Sequence, residues 1–134
     1  PMSDRVSFLG DVDARELPAL YAASSGFVLP SVAASETFGV VQLEAMAARR
    51  PLVVSRASEG VASVHAGAES ALLVAPGDAM ALREAMLRVR DDRELGTRLV
   101  AAADTLIADR YSLDDRLADL EALLYEATGR STAA

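Results

Sequence analysis

The sequence has no cysteine, no lysine and a single histidine, and each shortage removes a class of function. Without cysteine there are no disulfides and no thiolate chemistry, and a reducing cytoplasm is the simplest expected setting. One histidine, His65, excludes a histidine metal cluster, and no metal site is expected. Ser31 has no histidine in its sequence context, so a Ser-His triad is rejected. All 13 basic residues are arginine, so any bound anion must be held by backbone amides, helix ends or a few arginines. No apolar run approaches the roughly 18 residues of a membrane span. The start, Pro1-Met2-Ser3-Asp4, has neither the basic patch nor the apolar stretch of a signal peptide.

What is present describes a globular chain. Its 134 residues suffice for one domain with one core, and 51% apolar with 25% charged residues is a folded composition. A net charge of −7 argues against attraction to nucleic acid or to an anionic membrane.

Apolar runs alternate with helical periodicity along the chain. Val6-Ser7-Phe8-Leu9, ended by Gly10, reads as a buried strand. Asp13 and Glu16 offer a cap for a helix with Leu17, Leu20 and Tyr21, and Pro18 fits its first turn. Strands are expected at Gly26 to Leu29, Leu52-Val53-Val54 and Leu72-Leu73-Val74, and a helix from Gly39 to about Arg49. The stretch Ser58 to Glu69 is ambiguous, with one short helix and a turn as its reading. Asp78 is a good N-cap for a helix burying Leu82, Met86 and Val89. A further helix carries Leu95, Leu99, Ala102 and Leu106 on one stripe. Ser112 with Asp115 resembles a capping box before a helix that buries Leu113, Leu117, Leu120 and Leu124, and the tail Gly129 to Ala134 reads as loose. The expected fold class is α/β, a partial doubly wound (Rossmann-like) parallel sheet of about four strands with helices on both faces.

The chemically informative segment runs from Pro30 to Ala47, PSVAASETFGVVQLEAMA. It places a small-residue loop at the end of a strand and a helix start at Gly39, on the sheet edge where open α/β folds bind ligands. The first-turn amides of Val40 and Val41 lack intrahelical partners and suit a phosphate or diphosphate without any lysine. Gly39 has no Cβ, so a ligand can approach its backbone closely. Glu36 and Glu44 flank the turn with seven residues between them. Like charges repel, so both carboxylates suit hydroxyls on either side of a diphosphate. A nucleotide-sugar presents that order of groups: ribose diol, diphosphate, sugar hydroxyls.

The segment resembles glycosyltransferase family 4, whose members share two facing Rossmann-like domains (the GT-B fold) and a Glu-x7-Glu motif. Here Glu36 and Glu44 form that motif, with Thr37-Phe38-Gly39 inside it and Glu44-Ala45-Met46-Ala47 closing it. Val6 to Gly10, Leu17 to Ala22, Val28 to Ser31, Pro51 to Val54, Leu72 to Val74 with Pro76-Gly77-Asp78, and Tyr111-Ser112 match the family in order. The resemblance implies a retaining transferase of a hexose-type sugar that needs no metal or other cofactor. Glu36 would hold hydroxyls of the transferred sugar near the reacting carbon, and is the catalytic candidate. Phe38, Gly39, Val40 and Val41 would present backbone to sugar and diphosphate, Glu44 would hold the ribose hydroxyls, and Val12 would lie against the base.

The resemblance also implies that residues 1–134 are a single partial domain, the C-terminal donor-binding half of a GT-B enzyme. Two βα units carrying a basic pair, and a facing N-terminal acceptor domain, would precede Val6. By itself such a chain is expected to be inactive. In the strand order 3-2-1-4-5-6, the Val6 strand would be third and the Val28 strand fourth. The chain is therefore expected to repair its sheet with a second copy or to pair those two strands directly. Three positions depart from the family pattern: Glu59 before Gly60 where a Gly-Gly pair is usual, and Arg49 and Ala71 where glycines are usual. They bear on the acceptor side and leave the donor motif intact.

Simpler readings stand beside these. Glu44 alone reads as a solvated helical glutamate, and only its ordered context makes it a ligand group. Phe38 also reads as a core aromatic, and His65 as a surface or packing residue rather than a catalyst. Asp91-Asp92 and Asp114-Asp115 read as capping or solvated, while Arg49, Arg50 and Arg56 either face the anion or complement a helix end. Two rival functions remain: another GT-B enzyme such as a sugar-nucleotide epimerase, and a non-catalytic, self-associating binding module.

Overall fold

The computed structural model describes residues 2–128. Three strands, β1 (Phe27–Leu29), β2 (Leu52–Ser55) and β3 (Leu72–Val74), form one parallel sheet in the order β1-β2-β3. Val28 pairs with Val53 and Val53 with Leu72, which fixes the register across the sheet. Six helices surround it: α1 (Leu17–Ala23), α2 (Val41–Ala47), α3 (Glu59–Ser63), α4 (Ala79–Asp91), α5 (Arg93–Arg110) and α6 (Leu113–Thr128). A short 3-10 turn, Met2–Arg5, precedes them.

Alternate side chains of a strand point to opposite faces, and the core divides accordingly. On one face Leu29, Leu52 and Val54 pack with Ala45 and Met46 of α2, Val61 of α3, and Ala103 and Leu106 of α5. On the other, Val53 and Val74 pack with Ala85 of α4, joined by the half-buried Val28 and Leu82. All four residues of β2 are buried, because only that strand has a neighbour on each side and a cover on each face. Met46 and Leu52 are fully enclosed, each contributing about 1.5–3 kcal/mol by removal from water. Sequence-encoded caps hold the helix starts: Asp78 accepts from the Ala81 amide at 2.9 Å and Asp92 from Leu95 at 2.8 Å. Ser58 accepts from Val61 at 3.2 Å, which resolves the ambiguous stretch as a five-residue helix and a turn.

The structure departs from the sequence reading at several points. Val6 to Leu9 is not a strand, so the sheet has three strands rather than about four. No ladder partner reaches that run among the described residues, and a strand without a partner has no sink for its backbone groups. Val6, Phe8 and Leu9 are accordingly 49%, 95% and 62% exposed. The expected direct pairing with the Val28 strand does not form, and β1 keeps one open edge. α1 starts at Leu17 with no side-chain cap, because the Asp13 carboxylate binds Arg15 instead. In α4 the buried residue is Ala85, while Met86 is 46% exposed. In α5 it is Ala103 rather than Ala102, which keeps four-residue spacing with Leu95 and Leu99.

The largest correction concerns α6. The Asp115 amide reaches Ser112 Oγ at 3.4 Å, but Leu113, Leu117, Leu120 and Leu124 stay exposed instead of buried. Periodicity identifies an apolar face without saying what covers it. The expectation for Gly129 to Ala134 lies outside the described residues. No helix among the described residues is long and apolar enough to cross a membrane.

These burials separate two kinds of apolar residue. Met46→Ala should cost about 2–5 kcal/mol in urea unfolding. Leu117→Ser should cost less than about 1 kcal/mol. Equal losses would mean that α6 packs on the body in solution.

Candidate functional site

The site segment leaves the carboxyl end of β1 and returns as α2. Gly39 at the turn has φ +68°, and a Cβ there would lie 2.9 Å from Leu29 Cδ2, so backbone sign and space both require glycine. The Gln42 and Leu43 amides donate to the Gly39 and Val40 carbonyls at 2.9 Å each. The Val40 and Val41 amides find no acceptor among the described residues, and both residues are exposed. This helix start is open, as its sequence implies. α2 is shorter than expected, because Arg49 takes a left-handed conformation at φ 57°. Its amide donates to Met46 and that of Arg50 to Ala45, the Schellman pattern in which glycine is usual.

The two glutamates differ in environment. Glu44 is exposed on the first turn of α2, and Tyr21 Oη of α1 donates to Glu44 Oε2 at 2.8 Å. Burial, then this contact, pushes the Tyr21 phenol up to about 12, so it remains a donor across the physiological range. A groove of 420 Å³ between α1 and α2 includes Leu17, Pro18, Tyr21, Glu44 and Ala47 in its lining. Glu36 is half-buried in the loop, its carboxylate unpaired among the described residues and its carbonyl accepting from Ser58 Oγ at 2.5 Å.

Glu44 is the one candidate in that groove; Val12, Glu36, Phe38, Gly39, Val40 and Val41 are outside its lining. Phe38 packs its ring edge-on to Tyr111 with centroids 6.2 Å apart, so the side chain belongs to the core. Val12 is half-buried in the irregular run before α1.

His65 is a packing residue, and a polar one. It is 3% exposed, with Nδ1 2.7 Å from Ser70 Oγ and Nε2 2.9 Å from Gln42 Oε1. Burial pushes its pKa down to about 4, so the ring is neutral near pH 7. Gln42 Nε2 donates to the Phe38 carbonyl at 2.6 Å. Sequence reading passed over Gln42, Ser58, Ser70 and Tyr21. The available signal was a glutamine sharing the buried face of α2 with Ala45 and Met46.

The arginines divide by sheet edge. Arg49 pairs with Asp104 at 3.0 Å, and Arg50 donates to the Ser24 and Ala48 carbonyls at 3.0 and 2.8 Å. Both precede β2 and so serve a helix end away from the carboxyl edge. Arg56 follows β2 on the carboxyl edge and makes no ion pair among the described residues. No group of three or more His, Cys, Asp or Glu among the described residues is placed to hold a metal ion.

The sequence profile of the family described as Glycosyl transferases group 1 matches residues 1–92. Over 122 residues the chain is 33% identical to the alpha-D-kanosaminyltransferase of Streptomyces kanamyceticus, covering 89% of this chain and 31% of that protein. It is 36% identical over 81 residues to the D-rhamnosyltransferase WbpZ of Pseudomonas aeruginosa, covering 60% and 21%. Among solved structures, the sucrose-phosphate synthase of Thermosynechococcus elongatus superposes with a TM-score of 0.79 at 30% identity, covering 94% of this chain and 32% of that one. Anabaena HepE in complex with UDP-glucose gives 0.80 at 24% identity, covering 92% and 33%, a likeness of fold. The chain thus spans about a third or less of the length of these relatives. These neighbours have the GT-B fold, and the α/β architecture here is that of its C-terminal, Rossmann-like half.

The buried neutral imidazole has a pH consequence. Unfolding exposes His65, which then protonates near its ordinary 6.5, whereas the folded ring resists protonation down to about 4. Its contribution is therefore complete above about pH 6.5 and lost as pH falls toward 4. Urea unfolding at pH 7 and pH 5 should show a larger acid loss for the unmodified chain than for His65→Gln. Equal losses would place His65 in solvent.

Proposed function

The chain belongs to the group 1 glycosyl transferases, and on that premise we propose that it is the donor-binding part of a retaining, family 4 transferase. The donor is a nucleotide-diphosphate sugar of hexose type. In the reaction the bond from the sugar's anomeric carbon to the diphosphate oxygen breaks, a bond to an acceptor hydroxyl oxygen forms on the same face, and the nucleoside diphosphate leaves with the hydroxyl's proton passing to the departing phosphate oxygen. Glu36 holds hydroxyls of the transferred sugar beside the reacting carbon. The Gly39 turn and the Val40 and Val41 amides receive the diphosphate, with the Phe38 backbone beside the sugar. Stabilisation of the departing negative charge is the main catalytic contribution of these groups, with no metal required.

Glu44 is the ribose clasp in this reading, and Val12 lies toward the base. The observation that carries the reading is the bond from Tyr21 to Glu44. It fixes an exposed carboxylate on the first turn of α2, beside a mostly apolar groove and next to unpaired amides. A carboxylate there accepts from a diol and repels phosphate, which orients a nucleotide-sugar along the helix start.

By itself this stretch binds donor without turning it over, since the reading assigns a basic pair and the acceptor side to other parts of a GT-B enzyme. The open edge of β1 is where completing strands pair, supplied by those parts or by a second copy. Apolar grooves flank that edge, one lined by Leu20, Tyr21 and Phe27 and the other by Val28, Val53 and Met86. A cytoplasmic setting agrees with the absence of cysteine.

Calorimetric titration with UDP, GDP and their sugar conjugates tests the reading. One of them should bind, and Glu44→Ala should weaken it by roughly ten- to a hundredfold, the range of hydrogen bonds to a charged group. Tyr21→Phe should weaken it by about three- to tenfold through a less ordered Glu44. Unchanged affinity in Glu44→Ala would overturn the ribose assignment.

A further inference from the structure

The loop that carries Glu36 and Gly39 is bonded at two carbonyls, and the carbonyl between them is closely packed. Ser58 Oγ donates to the Glu36 carbonyl at 2.5 Å. The Thr37 carbonyl presses against Gly60, where an added Cβ would come within 1.8 Å of its oxygen. Gln42 Nε2 donates to the Phe38 carbonyl at 2.6 Å and lies 3.5 Å from the Val61 carbonyl. The first bond and the close packing both come from the start of α3. The second bond comes from a side chain with no exposed surface.

The chemistry of the partners sets the direction of every bond in the buried group. The Phe38 and Val61 carbonyls only accept, so the Gln42 NH2 must face them and its Oε1 must face His65. That oxygen also only accepts, so His65 Nε2 carries the ring hydrogen. Nδ1 is then bare and accepts from the Ser70 hydroxyl, which is itself fully buried. The chain of donors runs from Ser70 through His65 and Gln42 to the Phe38 carbonyl, one residue before the Gly39 turn. An apolar residue would fill the position of Gln42 at lower desolvation cost, whereas the amide ties the loop to the helix.

We propose that Gln42, oriented by His65, is a positioning residue that fixes the Phe38 carbonyl and thereby aligns Glu36 and Gly39 for a nucleotide-sugar. The role rests on the donor reading above. Gln42 touches no substrate; it acts through the loop. Sugar-side contacts depend on the latch more than the ribose clasp does, because Glu44 is held separately by Tyr21.

The double variant Gln42→Leu/His65→Leu removes the polar pair together, which leaves less unsatisfied polarity than either single change. Its amides at Thr37 to Val41 should exchange with solvent at least about tenfold faster than those of the unmodified chain. Affinity for the UDP- or GDP-sugar that the unmodified chain binds should fall roughly three- to tenfold, with affinity for the matching nucleoside diphosphate changed less. As the sole histidine, His65 is also readable by ring nitrogen NMR, which should show the Nε2–H tautomer. Wild-type loop exchange and sugar affinity in the double variant would overturn the proposal, and so would an Nδ1–H ring. Should the double variant fail to fold, the tautomer in the unmodified chain decides. Failure of the unmodified chain to bind any nucleotide-sugar is a separate outcome; it overturns the donor reading and with it the role assigned to Gln42.

Discussion

The carboxyl edge depends on one buried amide finding acceptors. Gln42 sits where α2, α3 and the sheet meet, with no access to water, so its NH2 group must be satisfied by protein. The nearest acceptor is the carbonyl of Phe38, whose ring is already committed to the core against Tyr111. Once both are placed, Gly39 is confined between Leu29 and Gln42, and its left-handed turn is the remaining way to enter the helix. A polar group in the core thus shapes a loop on the surface. The glutamates take their places from that loop and from the helix it starts.

The sheet imposes a second constraint. β2 is covered on both faces and bonded on both sides, whereas β1 is bonded only to β2. Unpaired strand edges attract other strands, and β1 is also the strand whose end launches the site loop. A strand added to that edge would stiffen the base of the site as well. The apolar stripe of α6 is a second surface of the same kind, formed by local periodicity and left uncovered.

What was legible in the sequence follows from how local each feature is. The cap at Asp78 and the strand at Leu72 to Val74 depend on residues within one turn or one run, and they form as expected. The Val40 and Val41 amides are unpaired as the helix start predicts, whereas the space left by the missing Cβ of Gly39 faces Leu29 and Gln42 rather than a ligand. The Val6 strand failed because a strand is a property of a pair, and its partner is not among the described residues. The α6 stripe failed for the same reason, since amphipathicity reports a face without its cover. The Ser70–His65–Gln42 chain was invisible because His65 and Ser70, in the segment after α3, meet Gln42 of α2 only in the folded core. A polar residue on a buried helical face was the trace it left.

Charge bears on how such a chain could hold a diphosphate at all. A net charge of −7 repels an anion at long range, and lysine is absent. At physiological salt that repulsion is screened beyond about 8 Å, while hydrogen bonds from fixed amides act at contact and are not. On the donor reading, affinity therefore comes from contact geometry rather than from steering. The orientation of the Gly39 turn then matters more than any single charge. Arg56 follows β2 at the carboxyl edge with no ion pair among the described residues, whereas Arg49 and Arg50 are occupied at the opposite edge. A site that works by contact tolerates little slack in its backbone. On that reading, the bonds to the Glu36 and Phe38 carbonyls and the packing of Thr37 on Gly60 serve to keep the turn in place.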